Sequence, residues 1–148
     1  MDLIALGRFA LLPDDDLNTA TVLKGPFIGL SEDQLFDLAH GRNGTLWREL
    51  TRRSNTDPVY GPAIEKLRRV LAIADYMPPF EFFNAELSGG GRCAMLARMG
   101  PEAADPVDEF MALALDFERD HVPSLEGFLH WIETGQTEVK RDLEQAGG

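Results

Sequence analysis

Apolar residues recur at helical spacing along nearly the whole chain, and this pattern constrains the fold more than any other sequence feature. The run Leu3, Leu6 and Phe9 is typical, because Pro13 ends it soon afterwards. No segment alternates apolar and polar residues for long enough to predict a β-strand. The composition agrees, since 20 Leu and 15 Ala, which favour helices, outnumber 6 Val and 5 Ile, which favour strands. We predict an all-α fold of about eight or nine short helices.

Helix caps and breakers set the predicted helix boundaries. Ser31 and Gln34 form a capping box, and Gly25-Pro26 ends the preceding helix. Further N-terminal caps are predicted at Thr45, at Asp105 ahead of Pro106, and at Ser124. Ser88 to Gly91 is predicted as a flexible connector, and a last, mostly charged helix is predicted over Thr137 to Gln145.

The 148 residues fit a single domain, 1–148, that is large enough to bury a core without disulfide or metal support. The N-terminus has no basic segment before an apolar run, which excludes a signal peptide. No apolar stretch approaches the ~20 residues that span a bilayer. We expect a soluble, cytoplasmic protein that does not bind membranes.

The chain is acidic overall but basic in one region. The formal net charge of −11 argues against general nucleic-acid binding. Residues 42–69 nevertheless hold seven basic residues against three acidic ones, Glu49, Asp57 and Glu65. The basic members are Arg42, Arg48, Arg52, Arg53, Lys66, Arg68 and Arg69. This basic window indicates either a phosphate-binding surface or an ordinary solvated helix face.

No residue pattern indicates a catalytic or metal site. Asp37-x-x-His40 and Glu118-x-x-His121 match one element of helical di-iron sites, but the inward glutamates of the other helices are missing. The glycines at 89–91 lack the spacing of a nucleotide loop. We therefore predict no metal ligands and no catalytic residues in this chain.

Several other residues are predicted to be structural. Cys93 has no partner histidine in a known signature, which favours a buried or half-buried thiol. The acidic triplet Asp14 to Asp16 suits the start of a helix. Core packing is predicted for the aromatic residues Phe80, Phe82, Phe83, Phe110, Phe117, Phe128 and Trp131.

A few stretches together resemble the 2B subdomain of UvrD-like superfamily 1 DNA helicases, and most closely the AddA-type, RecB-like helicase-nuclease subunit of double-strand-break repair. The similarity covers nearly the whole chain and has no single diagnostic motif. It is carried by Asp2 to Leu6, Leu12 to Leu17, Thr21 to Pro26, Ile28 to Leu35 and Pro123 to Trp131. The resemblance implies a helical insertion in a motor domain, and hence a fragment of a longer helicase chain.

The resemblance also implies a function. The parent would be an ATP-dependent hydrolase with exonuclease activity, whose motor domains bind ATP and Mg²⁺, while this part needs no cofactor. In relatives, a Gly-Ile-Gly turn of this subdomain touches the duplex backbone; here Phe27 replaces the first glycine before Ile28-Gly29. The candidate DNA-binding residues at this turn and in the basic window are Lys24, Gly25, Ile28, Gly29, Ser31, Arg48, Arg52 and Arg53.

Three functions remain to be distinguished. The first is a non-catalytic helicase subdomain that positions duplex DNA or regulates the motor, in contact with the remaining domains of the parent. The second is a helical protein-interaction module that docks a partner nuclease subunit. The third is a carboxylate-bridged metal enzyme. The sequence favours the first, and we expect neither ATPase nor nuclease activity from this chain alone.

Overall fold

The computed structural model describes residues 2–135, and these form a single all-α domain without a β-strand in that part of the chain. The predicted helix Thr137 to Gln145 lies outside the described residues. In chain order the helices are α1 Asp2–Leu11, α2 Asp16–Lys24, α3 Glu32–Ala39, α4 Leu46–Ser54, α5 Gly61–Ala74, α6 Pro79–Glu86, α7 Arg92–Met99, α8 Ala104–Asp120 and α9 over 125–135. Within residues 2–135, no helix is both long and apolar enough to cross a bilayer.

Helix α1 lies at the centre of the domain. Its sequence is apolar around most of its circumference, as expected for a helix covered on several sides. It packs against α2 and α5, and its Gly7 lies against Leu129 of α9 and Phe83 of α6. A Cβ at Gly7 would lie 3.0 Å from Leu129 Cδ1, so the absent side chain lets α9 approach closely. One continuous core therefore joins the two halves of the chain.

Most of the predicted N-terminal caps are confirmed. Asp15 accepts a hydrogen bond from the Asn18 N–H at the start of α2, and Thr45 accepts one from Arg48 N–H at the start of α4. The capping box of α3 is complete, with both the Ser31 and the Gln34 side chains bonded to backbone N–H groups. The predicted core aromatic residues are buried or partly buried against the core.

The predicted connector at residues 88–91 is a kink between two helices. Gly89 and Gly90 have non-helical backbone angles inside Leu87–Gly91, and the φ of +107° at Gly90 favours glycine, so this segment joins α6 to α7. Gly91 is buried, and a Cβ there would lie 2.9 Å from the Phe27 ring and 2.6 Å from the Glu86 carbonyl oxygen. The glycines therefore serve close packing at Gly91, and only Ser88 to Gly90 are exposed.

Two predictions about single residues are wrong. Asp105 does not cap α8, because a 3₁₀ turn over Pro101–Ala103 leads directly into a helix that begins at Ala104. Pro106 then lies inside the first helical turn, where backbone N–H groups have no intrahelical partner to lose. Cys93 is exposed on α7 instead of buried.

Candidate nucleic-acid interface

The candidate turn between α2 and α3, residues 25–31, is closed by its own hydrogen bonds. The Gly29 N–H donates to the Gly25 carbonyl at 2.8 Å, and the Leu30 N–H donates to the Leu23 carbonyl at 2.9 Å. The Gly25 N–H donates to two α2 carbonyls, and the Ser31 N–H donates to Gln34 Oε1. These four backbone N–H groups already have acceptors, so they are not free for a phosphate.

The surface of this turn is accessible at one glycine. Gly29 is exposed and has a φ of +75°, a backbone conformation that favours glycine. A Cβ at Gly29 would meet no atom within 4 Å, so a ligand can approach the backbone there. Gly25 and Phe27 are buried, and Ile28 is half-buried. Phe27 packs its ring against Gly91.

Cationic side chains from distant helices hold the turn. Lys66 of α5 donates to the Phe27 carbonyl at 2.8 Å and lies 2.8 Å from a carboxylate oxygen of Glu86. Arg98 of α7 donates to the carbonyl of Lys24, the last residue of α2. Lys24 itself pairs with Glu32 at 3.1 Å. Sequence reasoning did not identify Arg98 as a site residue, because it is 74 residues from its acceptor.

The candidate arginines of α4 are largely neutralised by acidic neighbours. Glu49 is only 3% exposed and accepts hydrogen bonds from both Arg52 and Arg53. Arg53 also pairs with Asp37 of α3 at 2.8 Å. The Arg52 hydrogen bond holds the pKa of Glu49 below its usual value, although burial acts in the opposite direction. Arg48 is exposed and has no ion-pair partner among residues 2–135.

The basic window is thus less cationic than its composition indicates. Arg42 pairs with Asp16 at 2.8 Å, and the pKa of Asp16 is lowered by its hydrogen bond from the Leu46 N–H and by Arg42. In the described part of the chain, the members without an ion pair are Arg48, Arg68 and Arg69.

Helix α3 separates the two groups of candidate residues. Ser31 caps its N-terminus beside the turn, while Asp37, which holds Arg53, lies six residues later. At a rise of about 1.5 Å per residue, the two groups are roughly 9 Å apart along the helix axis. Among the described residues, no hydrogen bond or ion pair joins the turn to α4.

The histidine–carboxylate pairs are engaged in other contacts. Asp37 accepts from Arg53 and from the Tyr60 hydroxyl, and His40 stacks on Phe36. His121 is the C-terminal cap residue of α8, as its predicted place near a helix C-terminus requires. Its ring stacks on Phe117. Among residues 2–135, no group of three or more His, Cys, Asp or Glu side chains could hold a metal ion.

One carboxyl group outside the candidate site is electrostatically perturbed. Burial raises the pKa of Glu118, and the nearby Glu81 carboxylate raises it further. A backbone hydrogen bond from Phe80, at the start of α6, acts against this rise. Glu118 thus contacts the N-terminus of α6 from α8, which fits a structural role.

An exposed apolar surface lies at the corner between α1 and α2. It consists of three leucines, which we call the apolar corner: Leu11, Leu12 and Leu17. Leu17 is 86% exposed although it belongs to a helix. A contiguous exposed apolar patch is typical of a contact surface, so these three leucines are candidates for one.

The comparisons with known proteins find no counterpart. The chain matches no protein-family model, and neither a curated protein nor a solved structure shows significant similarity to it.

Proposed function

We propose that the chain is a non-catalytic accessory subdomain of an ATP-dependent DNA helicase that acts in double-strand-break repair. Its role would be to position duplex DNA or to regulate the motor. The proposal is supported by the stretches that resemble the 2B subdomain and by the all-α fold that this resemblance implies. ATP, Mg²⁺ and the nuclease centre would belong to other domains of the parent, a cytoplasmic enzyme.

The observation that carries the proposal is the α2–α3 turn. The segment that resembles the duplex-contacting turn of the family lies at the surface, with Gly29 open to solvent. Lys24 and Arg98 place two exposed cations beside it. A polyanion can approach at this point, although the net charge of −11 opposes its approach at long range. We expect weak, salt-dependent duplex binding with little sequence preference.

Charge reversal tests the proposal. Lys24→Glu and Arg48→Glu should each weaken binding of a short blunt-ended duplex at low salt more than Arg119→Glu does. Arg119 is the matched control, because it is an exposed arginine on α8 that pairs with Asp116 away from the turn. Reversal of Arg52 or Arg53 is unsuitable, because it would place new carboxylates beside buried Glu49.

The result can contradict the proposal in two ways. Equal binding by all three variants would show that the turn and α4 do not contact DNA. No duplex binding, even after the flanking domains are restored, would have the same meaning, since those domains raise the effective concentration of duplex. The reading frame of the gene gives an independent test, because helicase motor motifs should flank this segment.

The apolar corner favours a second candidate, a protein-interaction module that docks a partner nuclease subunit. Leu17→Ser should then reduce co-purification of the parent protein with that subunit. Val122→Ser is the matched control, because Val122 is 84% exposed but follows α8, far along the chain. Equal co-purification of both variants would exclude the corner as the docking surface.

A further inference from the structure

We infer that the guanidinium group of Arg98 is the phosphate-binding group at the α2–α3 turn. This inference rests on the proposed function and makes it more specific, because it names the residue that recognises the duplex backbone. Arg98 lies on α7, outside both the turn and the basic window, and its contact with the turn follows only from the fold.

Most of the backbone N–H groups of the turn already donate internal hydrogen bonds. The N–H groups of Gly25, Gly29, Leu30 and Ser31 all donate within the protein. Binding of a phosphate by these groups would require the loss of bonds that close the turn. A ligand contact at the turn therefore calls for side-chain donors as well.

The three cationic side chains at the turn differ in their exposure and in their ion pairs. Lys66 is mostly buried, with 24% of its side chain exposed, and it pairs with Glu86. Lys24 pairs with Glu32, although both side chains are exposed and such pairs are weak. Arg98 is exposed and forms no ion pair with any carboxylate among residues 2–135. It is the cation at the turn without an ion pair among the described residues, although the Asp2 carboxylate lies beside Gly25.

The geometry of arginine suits this role. A guanidinium group has five N–H donors in a planar fork that matches phosphate oxygens. The bond from one of its terminal nitrogens to the Lys24 carbonyl holds the group at the end of α2, next to Gly25. The other donors remain for a ligand. A phosphate at the end of α2 would thus meet an arginine that forms no ion pair among the described residues.

The structural alternative is that Arg98 only caps the C-terminus of α2. Two substitutions, compared together with thermal unfolding, separate these roles. Arg98→Gln removes the charge and shortens the side chain by two bonds, so it removes the fork and weakens the cap. Arg98→Lys keeps the charge and a terminal N–H donor but loses the fork. Arg119→Gln removes the same charge away from the turn and is the matched control. The probe is a short blunt-ended duplex titrated at salt concentrations from about 50 to 200 mM.

For the full 148-residue chain, Arg98→Gln should weaken duplex binding about tenfold at low salt. It should also reduce the slope of log K against log salt by about 0.9, the value for one lost phosphate contact. Arg98→Lys should retain most of the affinity, and Arg119→Gln should change neither quantity. Thermal unfolding of each variant checks that the fold is intact.

Each other outcome overturns the inference in a recognisable way. If Arg98→Gln binds like Arg119→Gln while the wild type still binds duplex, Arg98 is only a cap and the proposed function stands. If Arg98→Gln and Arg98→Lys lose binding equally with an unchanged salt slope, the loss is structural. If the wild type binds no duplex at the lowest salt, even after the flanking domains are restored, the inference and the DNA contact of the proposed function fail together.

Discussion

The buried carboxylate of Glu49 pairs with two arginines of its own helix, α4. Its carboxylate is 3% exposed, and it is compensated by hydrogen bonds from Arg52 and Arg53. Because the pKa of Glu49 is lowered in the fold, ionisation of this residue stabilises the folded state. The arginines therefore act first on the stability of α4, and only Arg48 of this helix is free of described acidic partners.

Glu49→Gln should lower the free energy of unfolding by about 1 kcal/mol at neutral pH, a modest value since Arg52 keeps much of its contact with water. The contribution of the charge is present above the ordinary glutamate pKa of about 4.3. It is lost as the pH falls below that value through the lower pKa of the folded state. Urea unfolding of wild type and variant at several pH values should show the difference shrinking in acid.

Glu65→Gln is the control, because Glu65 is exposed on α5 and has no ion-pair partner among the described residues. It should change stability little at any pH. A Glu49→Gln effect that is equally large in acid would show that shape, not charge, governs this position.

Gly91 tests close packing at a single residue. A Cβ there would collide with the Glu86 carbonyl and with the Phe27 ring, so Gly91→Ala should destabilise the fold by about 1–3 kcal/mol. Gly61→Ala should instead stabilise it by about 0.5–1 kcal/mol, because Gly61 is helical and its Cβ position is open. Urea midpoints measure both. A neutral Gly91→Ala would mean that the Phe27 ring moves aside without cost.

At the scale of the element, the sequence predicts what local chemistry decides. The caps Ser31, Thr45 and Ser124 are recognisable because a cap acts on backbone groups two or three residues away. The N-terminus of α8 is predicted wrongly because a 3₁₀ turn leads directly into the helix, so no capping side chain marks where the helix begins. The glycines at 89–91 indicate the kink between α6 and α7, but the packing of Gly91 on Phe27 is not predicted, because Phe27 is distant in the sequence.

The same distinction applies to the candidate site. The turn was predicted from its own residues, and Lys24, Gly29 and Ser31 lie there at the surface. The hydrogen bonds that Lys66 and Arg98 donate to backbone carbonyls at the turn could not be predicted. Each donor is far from its acceptor in the sequence, by 39 residues for Lys66 and by 74 for Arg98. The neutralisation of Arg53 by Asp37 has the same origin, since it depends on how α3 packs on α4.

The capping box of α3 gives a prediction for one element. Ser31→Ala removes the acceptor of the Gln34 N–H and should cost about 1 kcal/mol of stability. Ser88→Ala is the control, because its hydroxyl makes only a 3.4 Å contact with Asn84 on the exposed turn, and it should stay within about 0.5 kcal/mol of the wild type. Thermal unfolding compares the two. Equal stability of the variants would show that water replaces the cap.

At the scale of the whole molecule, α1 joins the two halves of the chain. It packs on α2 and α5 from the first half and touches Phe83 and Leu129 from the second. Removal of either half would expose much of this apolar helix to water. The continuous core therefore predicts a single cooperative unfolding unit.

The two tryptophans report on the two halves separately. Trp47 packs edge-on against Phe9, whereas Trp131 lies against Phe117. Trp47→Phe and Trp131→Phe each leave one fluorescent reporter, and each variant should unfold with the same urea midpoint by fluorescence and by far-UV circular dichroism. A fluorescence midpoint that differs from the circular dichroism midpoint in either variant would reveal two independently unfolding parts.

The exposure of Cys93 makes the chain suitable for site-specific labelling without any engineered residue. It is the one cysteine of the sequence, so a thiol-reactive fluorophore would modify a single position. Cys93 lies on the same helix as Arg98, about 7–8 Å away along its axis. A dye there would report on the surroundings of α7, and a change in its emission on ligand binding could be followed in real time.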